Sequence, residues 1–171
     1  KLWQDNCPVA LDRLMILKVS YIDFYGNENH DGELIIFDVL ADHILSVFYA
    51  LYLNRFPIEK IQLMDAYAGA DEKSMEDNNS SAFNYRVIKD SNSFSIHAYG
   101  MAIDLNPKQN PCLMTEYEEC KVSIPVYPPE GMEYINRKNI RPGMVENVVA
   151  EDSSVVDLFK EHGLTVWGGD W

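Results

Sequence analysis

The chain has 171 residues, which fits one domain over residues 1–171 and is long enough to bury a core. Its formal net charge of −13 argues against a nucleic-acid partner and against binding to an anionic membrane surface, because both need clusters of Lys and Arg. No apolar run reaches the roughly 18 residues that indicate a membrane span.

The N-terminal part predicts a β-hairpin followed by a helix. The strand-like stretches "LMILKVSYIDFYG" and "ELIIFD" flank the turn cluster "GNENHDG", which places His30 at the tip of a turn. Asp38 is a candidate cap for the helix, whose apolar residues recur at helical spacing from Val39 to Tyr52 and which ends before Pro57. His43 lies beside this apolar stripe, where a packed or surface role is expected.

The middle of the chain shows weaker patterns. "IEKIQLMDAY" predicts a short strand, and the polar residues 69–95 predict a long loop, which in a compact domain is usually functional or disordered. "MAIDL" alternates as a strand does, and "NPKQNPC" stops it. Residues 106–150 are proline-rich, and we expect them to wrap the domain surface.

The last segment predicts one more helix. Ser153 or Ser154 caps "SVVDLFKEHG", which ends at Gly163 with His162 in its last turn. His162 is favourable there with the helix dipole, so capping explains it without a metal. "LTVWGGDW" predicts a strand and a turn.

The three cysteines are Cys7, Cys112 and Cys120. Without a CxxC pair, a thiolate zinc site is not indicated. Cys112 and Cys120 bracket a short acidic loop and are candidates for a disulfide, with two free thiols as the alternative.

The strongest chemical pattern is "SIHAYGMAIDLNP". Imidazole and carboxylate are both good zinc ligands, which makes His97 and Asp104 candidates. Gly100 permits a sharp reversal between them, and Ala102 leaves room beside Asp104 if both lie on one face of a strand. Ser95 shares a face with His97 if that part is extended. The five-position pattern should arise by chance in such a chain on the order of once in ten thousand.

The stretch "SIHAYGMAIDLNPKQNP" resembles the zinc-ligand signature of the D-alanyl-D-alanine carboxypeptidases of the vancomycin-resistance type, a family that includes phage L-alanyl-D-glutamate endopeptidases. "DEKSMEDNNSSAFNYR" resembles the stretch that precedes the signature in one branch, "FKEHGLTVWGGDW" resembles the one that follows it, and residues 14–56 also fit. The resemblance implies an α+β fold with an antiparallel sheet and flanking helices, one zinc ion, and a peptidoglycan stem peptide as the substrate.

The same resemblance assigns roles to residues. It implies that His97 and Asp104 bind zinc, that Arg86 stabilises the substrate or the transition state, and that Ser95 faces the substrate or supports a ligand. A surface Arg is the alternative for Arg86. The family's third ligand is a His preceded by a carboxylate general base, and both are expected beyond Trp171.

These expectations leave three functions open. A D-alanyl-D-alanine carboxypeptidase is favoured over an L-alanyl-D-glutamate endopeptidase by "NPKQNP" and "NNSSAFNYR". A non-catalytic cell-wall-binding module is the third, if the protein ends at Trp171. In that case we expect a folded chain with little activity, because catalytic zinc usually has three protein ligands.

The opening "KLWQDNCPVA" is not a signal peptide, and we expect one to have been removed from a periplasmic or secreted protein.

Overall fold

The computed structural model describes residues 2–88, 91–118, 121–150 and 152–170. The helices are α1 (Ala41–Leu53), α2 (Asp71–Glu76) and α3 (Val155–Glu161). The strands are β1 (Leu14–Ile22), β2 (Glu28–Phe37), β3 (Lys60–Ile61), β4 (Asn79–Ser80), β5 (Cys112–Leu113), β6 (Glu116–Glu118), β7 (Lys121–Ser123), β8 (Val126–Tyr127), β9 (Val148–Ala150) and β10 (Ser153–Ser154). Short 3-10 helices span Leu11–Arg13, Asp38–Leu40, Met64–Tyr67, Ile96–Tyr99, Pro129–Tyr134 and Gly168–Asp170.

The predicted α+β class is confirmed. In the described part of the chain the strands form two-stranded pairs, antiparallel for β1–β2, β5–β8, β6–β7 and β9–β10 and parallel for β3–β4. None of the described helices has both the length and the hydropathy that a membrane span requires.

The predicted hairpin and helix form the centre of the core. Leu17 of β1 pairs with Leu34 of β2, and both are buried. The buried face of α1 packs on this hairpin. The core side chains of α1 are Ala41, Ile44, Val47, Phe48 and Leu51. The helical spacing in the sequence therefore identified the buried face correctly, although Val39 lies before the helix and is exposed.

Two local details of the hairpin and helix differ from the prediction. The turn is tighter than expected because Asp23 accepts hydrogen bonds from the backbone N–H groups of Tyr25 and Asn27, so His30 lies inside β2 instead of at the tip. Asp38 does not cap α1. Its carboxylate is bound by the guanidinium of Arg13 at 2.6 and 2.9 Å, which removes it from the helix end.

The middle of the chain is more ordered than the sequence indicated. The expected loop at residues 69–95 contains α2 and β4, and the strand expected in "IEKIQLMDAY" is limited to β3. "MAIDL" is not a regular strand; it contributes one antiparallel bridge between Asp104 and Ser81. The sequence predicted only that residues 106–150 wrap the surface. They also form five short strands, β5 to β9, each of two or three residues.

Of the two predicted caps, Ser153 and Ser154, the structure has Ser154 as the N-cap of α3. Its hydroxyl accepts from the backbone N–H of Asp157, and the Asp157 carboxylate accepts from the Ser154 N–H, which is a complete capping box. The strand expected in "LTVWGGDW" is wrong: residues 164–167 have no regular structure, and a 3-10 helix follows. Leu164 and Trp167 pack against the core cluster, so burial rather than strand pairing holds this segment.

We predict that Phe48→Ala lowers the free energy of unfolding by about 3–5 kcal/mol, because Phe48 is 1% exposed and its loss leaves a cavity between α1 and the hairpin. Tyr49→Ala is the matched control on the same helix, since Tyr49 is 63% exposed. Denaturant unfolding of the two variants measures the difference, and equal losses would contradict the assigned core.

Candidate metal centre

One segment, residues 81–87, forms hydrogen bonds with both predicted zinc ligands, His97 and Asp104. Ser81 and Asp104 exchange backbone hydrogen bonds of 3.0 and 2.9 Å, which fixes the backbone that carries the carboxylate. One residue further, the carbonyl oxygen of Ala82 lies 2.7 Å from Nδ1 of His97. Two residues seven positions apart in sequence are therefore attached to neighbouring points of the same segment.

The other two predicted site residues, Arg86 and Ser95, also lie in this segment or bond to it. Arg86 belongs to it, and its carbonyl accepts from the backbone N–H of Ser95 at 3.0 Å. Val87 continues the pairing through an antiparallel bridge to Phe94. The structure thus brings all the predicted site residues to residues 81–87.

His97 lies in a 3-10 turn instead of the extended segment that the sequence suggested. The turn spans Ile96–Tyr99, and Ser95 is its N-cap, with the hydroxyl accepting from the His97 N–H at 3.3 Å. Ser95 is 6% exposed. It therefore supports the backbone of a predicted ligand, while a contact of its side chain with substrate stays a prediction.

Gly100 ends this turn at the point where it meets the hairpin. Its φ is +67°, in the left-handed region, and a Cβ placed there would lie 2.8 Å from the backbone nitrogen of Phe37. The Gly100 carbonyl accepts from that same nitrogen at 2.9 Å. Glycine is needed for both the conformation and the close approach, and this contact seats the His97 turn on β2.

The hydrogen bond to Ala82 sets the tautomer of His97. A carbonyl oxygen only accepts, so the neutral ring carries its proton on Nδ1 and leaves the Nε2 lone pair free. Metal-binding histidines in proteins show this arrangement, in which the second nitrogen donates to a carbonyl or carboxylate.

The free nitrogen faces a carboxylate. Nε2 of His97 lies 3.5 Å from Oδ2 of Asp104, longer than an ordinary N–H···O bond of about 2.7–3.2 Å. Nitrogen and oxygen ligands of a tetrahedral zinc ion, with bonds of about 2.0–2.2 Å, stand roughly 3.3–3.5 Å apart. The donor types, the tautomer and the separation therefore all fit a zinc ion.

Arg86 is half-buried, which differs from the surface Arg that was the alternative. One guanidinium nitrogen lies 3.0 Å from Oδ2 of Asp71. Its Nε is buried and has no hydrogen-bond acceptor among the residues that the structure describes. Arg86 therefore places a positive charge on the segment that bonds the ligand pair.

The thiol of Cys112 is affected by the charges of both Asp104 and Arg86. Burial of its thiol, and then the negative charge of Asp104, raise the pKa of Cys112, while Arg86 lowers it, although the residue as a whole is exposed. Cys112 forms no disulfide with another of the described residues. Cys120 lies outside the described residues, so their pairing stays a prediction.

Other candidate ligands are not assembled around the pair. Within residues 2–88, 91–118, 121–150 and 152–170, no group of three His, Cys, Asp or Glu residues could hold a metal ion. His162 lies edge-on to His43, with ring centroids 6.2 Å apart, and His30 bonds the hydroxyl of Ser20. The expectation that the third ligand and the base follow Trp171 stays a prediction.

Comparison with known proteins bears directly on this pair. The family model described as D-alanyl-D-alanine carboxypeptidase matches residues 89–171, which include Ser95, His97 and Asp104. This part of the chain is similar to that family. The resemblance predicted from the sequence is confirmed here, and the match supports a peptidase that acts on peptidoglycan. The searches of curated proteins and of solved structures found no match.

The sequence did not single out two residues that lie beside the family signature in space. Asp71 contacts Arg86, and the buried side chain of Asn84 contacts Asp71. Both lie inside the quoted stretch "DEKSMEDNNSSAFNYR", which the resemblance covered without assigning them a role. Nothing in the local pattern separates Asp71 from the neighbouring Glu72.

We predict that Gly100→Ala destabilises the fold more than Gly163→Ala. Both glycines have positive φ, +67° and +89°, so both alanines carry the left-handed strain of about 1–2 kcal/mol. Only at Gly100 does the new Cβ also collide with the backbone of β2, since no atom lies within 4 Å of a Cβ at Gly163. Equal melting temperatures for the two variants would contradict the seating of the His97 turn on the hairpin.

Proposed function

We propose that this protein is a zinc-dependent D-alanyl-D-alanine carboxypeptidase that acts on peptidoglycan stem peptides. The observation that carries the proposal is the His97–Asp104 pair, whose free Nε2 faces Oδ2 at 3.5 Å inside the segment that the family model matches. The proposed place of action is the cell envelope, in the periplasm or outside the cell, where such peptides occur.

His97 and Asp104 would hold the zinc ion. When bound, zinc lowers the pKa of a coordinated water and polarises the scissile carbonyl. Ala82 keeps the His97 proton on Nδ1, so that Nε2 can bind the metal without a change of tautomer. The side chain of His97 is 12% exposed and that of Asp104 is 37% exposed, so solvent and substrate reach the pair from the carboxylate side.

Arg86 would stabilise negative charge on the substrate. Its guanidinium is fixed by Asp71 before any substrate arrives, so little reorganisation is needed when charge develops on the carbonyl oxygen. Ser95 holds the turn that carries His97 in place. We assign the general base and the third ligand to none of the described residues.

We predict that the full-length protein binds one zinc ion and that His97→Ala loses most of it. His43→Ala is the control, because His43 is an exposed histidine paired with His162. Metal analysis by mass spectrometry after dialysis measures the content of each protein. If His97→Ala and wild type hold equal amounts of zinc, the ligand assignment is wrong.

We predict that the full-length protein releases D-Ala from a pentapeptide precursor and that Arg86→Ala lowers kcat by about 10²–10³-fold, as expected for loss of an oxyanion donor. Lys18→Ala is the control, since its side chain is 79% exposed. Analysis of the products of a defined muropeptide decides between the functions. Cleavage nearer the sugar would indicate an L-alanyl-D-glutamate endopeptidase, and no product would indicate a binding module.

A further inference from the structure

Asp71 divides its two carboxylate oxygens between two partners at the edge of the candidate centre. It lies in the first turn of α2, where a negative charge is favourable. Oδ2 lies 3.0 Å from a guanidinium nitrogen of Arg86, and Oδ1 accepts from the amide of Asn84 at 3.1 Å. With both oxygens engaged, the carboxylate has one orientation, and its Oδ2 contacts the guanidinium from a fixed position.

Asn84 connects this carboxylate to the zinc-ligand turn. It is 2% exposed, and its backbone N–H donates to the carbonyl of His97 at 3.1 Å. Its side-chain amide also reaches the carbonyl of Gly69 at 3.4 Å, just before α2. One buried residue therefore fixes the distance between the turn that carries His97 and the helix that carries Asp71.

Arg86 needs such support. An arginine side chain has several rotatable bonds, and ordering it costs conformational entropy that one terminal contact must offset. The Arg86 side chain is 34% exposed, so burial alone does not hold it. Displacement of a positioning group by about 1 Å can cost 10²-fold in rate.

We propose that Asp71 is the positioning residue for Arg86, with Asn84 holding Asp71 in register with the His97 turn. The inference rests on the proposed function, because the orientation of Arg86 matters for turnover only if Arg86 faces the substrate. Asp71 does not touch the substrate in this proposal and acts only through the guanidinium.

The first test needs no activity. In protein labelled with 15N-arginine, the fixed Arg86 guanidinium should give separate Nη signals and a protected Nε–H, assigned by their loss in Arg86→Lys. We expect Asp71→Asn to average the Nη signals and expose the Nε–H, while Glu72→Gln, an exposed carboxylate on the same helix, leaves them unchanged. Identical Arg86 signals in Asp71→Asn and wild type would overturn the proposal.

The second test separates positioning from a structural role. In the zinc-loaded full-length protein we expect Asp71→Asn to lower kcat for D-Ala release by about 10–100-fold with unchanged zinc content and melting temperature. In an Arg86→Ala background the same substitution should cause no further loss, because residues that act through one another are not additive. An equal loss in both backgrounds would show that Asp71 acts on the fold and would reject the positioning role.

The two tests also separate this inference from the proposed function. A wild-type protein that releases no D-Ala contradicts the carboxypeptidase, and the arginine signals still decide whether Asp71 orders Arg86. An active wild type with altered signals but undiminished kcat in Asp71→Asn contradicts the positioning role alone.

Discussion

The hydrogen bond from Nδ1 of His97 to the carbonyl of Ala82 is the interaction on which the candidate centre depends. It decides which imidazole nitrogen is free. It also ties the ring to Ala82, and the residue before Ala82, Ser81, pairs with Asp104. Side-chain ligands on separate loops would vary in separation with every loop motion. Here the ring of His97 and the backbone of Asp104 are bonded to consecutive residues of one segment, which limits how far the two ligands can move apart.

Buried amides, together with short strands, hold the chain beyond Asp104 and on either side of that segment. Its neighbour β4 has two residues, and short strands leave backbone groups that need other partners. Asn79, which is fully buried, bonds both the N–H and the carbonyl of Gln62, at 2.7 and 3.0 Å. Asn106, also fully buried, bonds the carbonyls of Pro57 and Gly143 just beyond Asp104. Each amide offers donors and an acceptor at once, so one side chain can bond both kinds of backbone group where the chain is irregular.

The charges of the centre are arranged against the acidity of the whole chain. The net charge of −13 makes the average electrostatic potential of the chain negative, and Arg86 is a positive charge within it. The charges of Arg86 and Asp104 both act on the thiol of Cys112. The contact with Asp71 orders the guanidinium but also offsets part of its charge. Its buried Nε–H is the donor that, among the described residues, no protein group uses.

Local sequence determined the parts of this protein that depend on neighbours in the chain. The spacing of Ile44, Val47 and Phe48 predicted the buried face of α1, and the capping box at Ser154 needs only a residue three positions away. The signature predicted the two donor types.

Tertiary structure decided the contacts between residues that are distant in sequence. The tautomer of His97 is set by a carbonyl fifteen positions earlier, and Asp38 bonds Arg13, twenty-five positions away, instead of its own helix. Likewise, Asp71 and Glu72 are equivalent in the sequence, and only the packing of α2 against residues 81–87 turned one of them toward Arg86. Periodicity records burial and local bonding, whereas the partner of a polar side chain depends on which segments the folded core brings within about 3 Å.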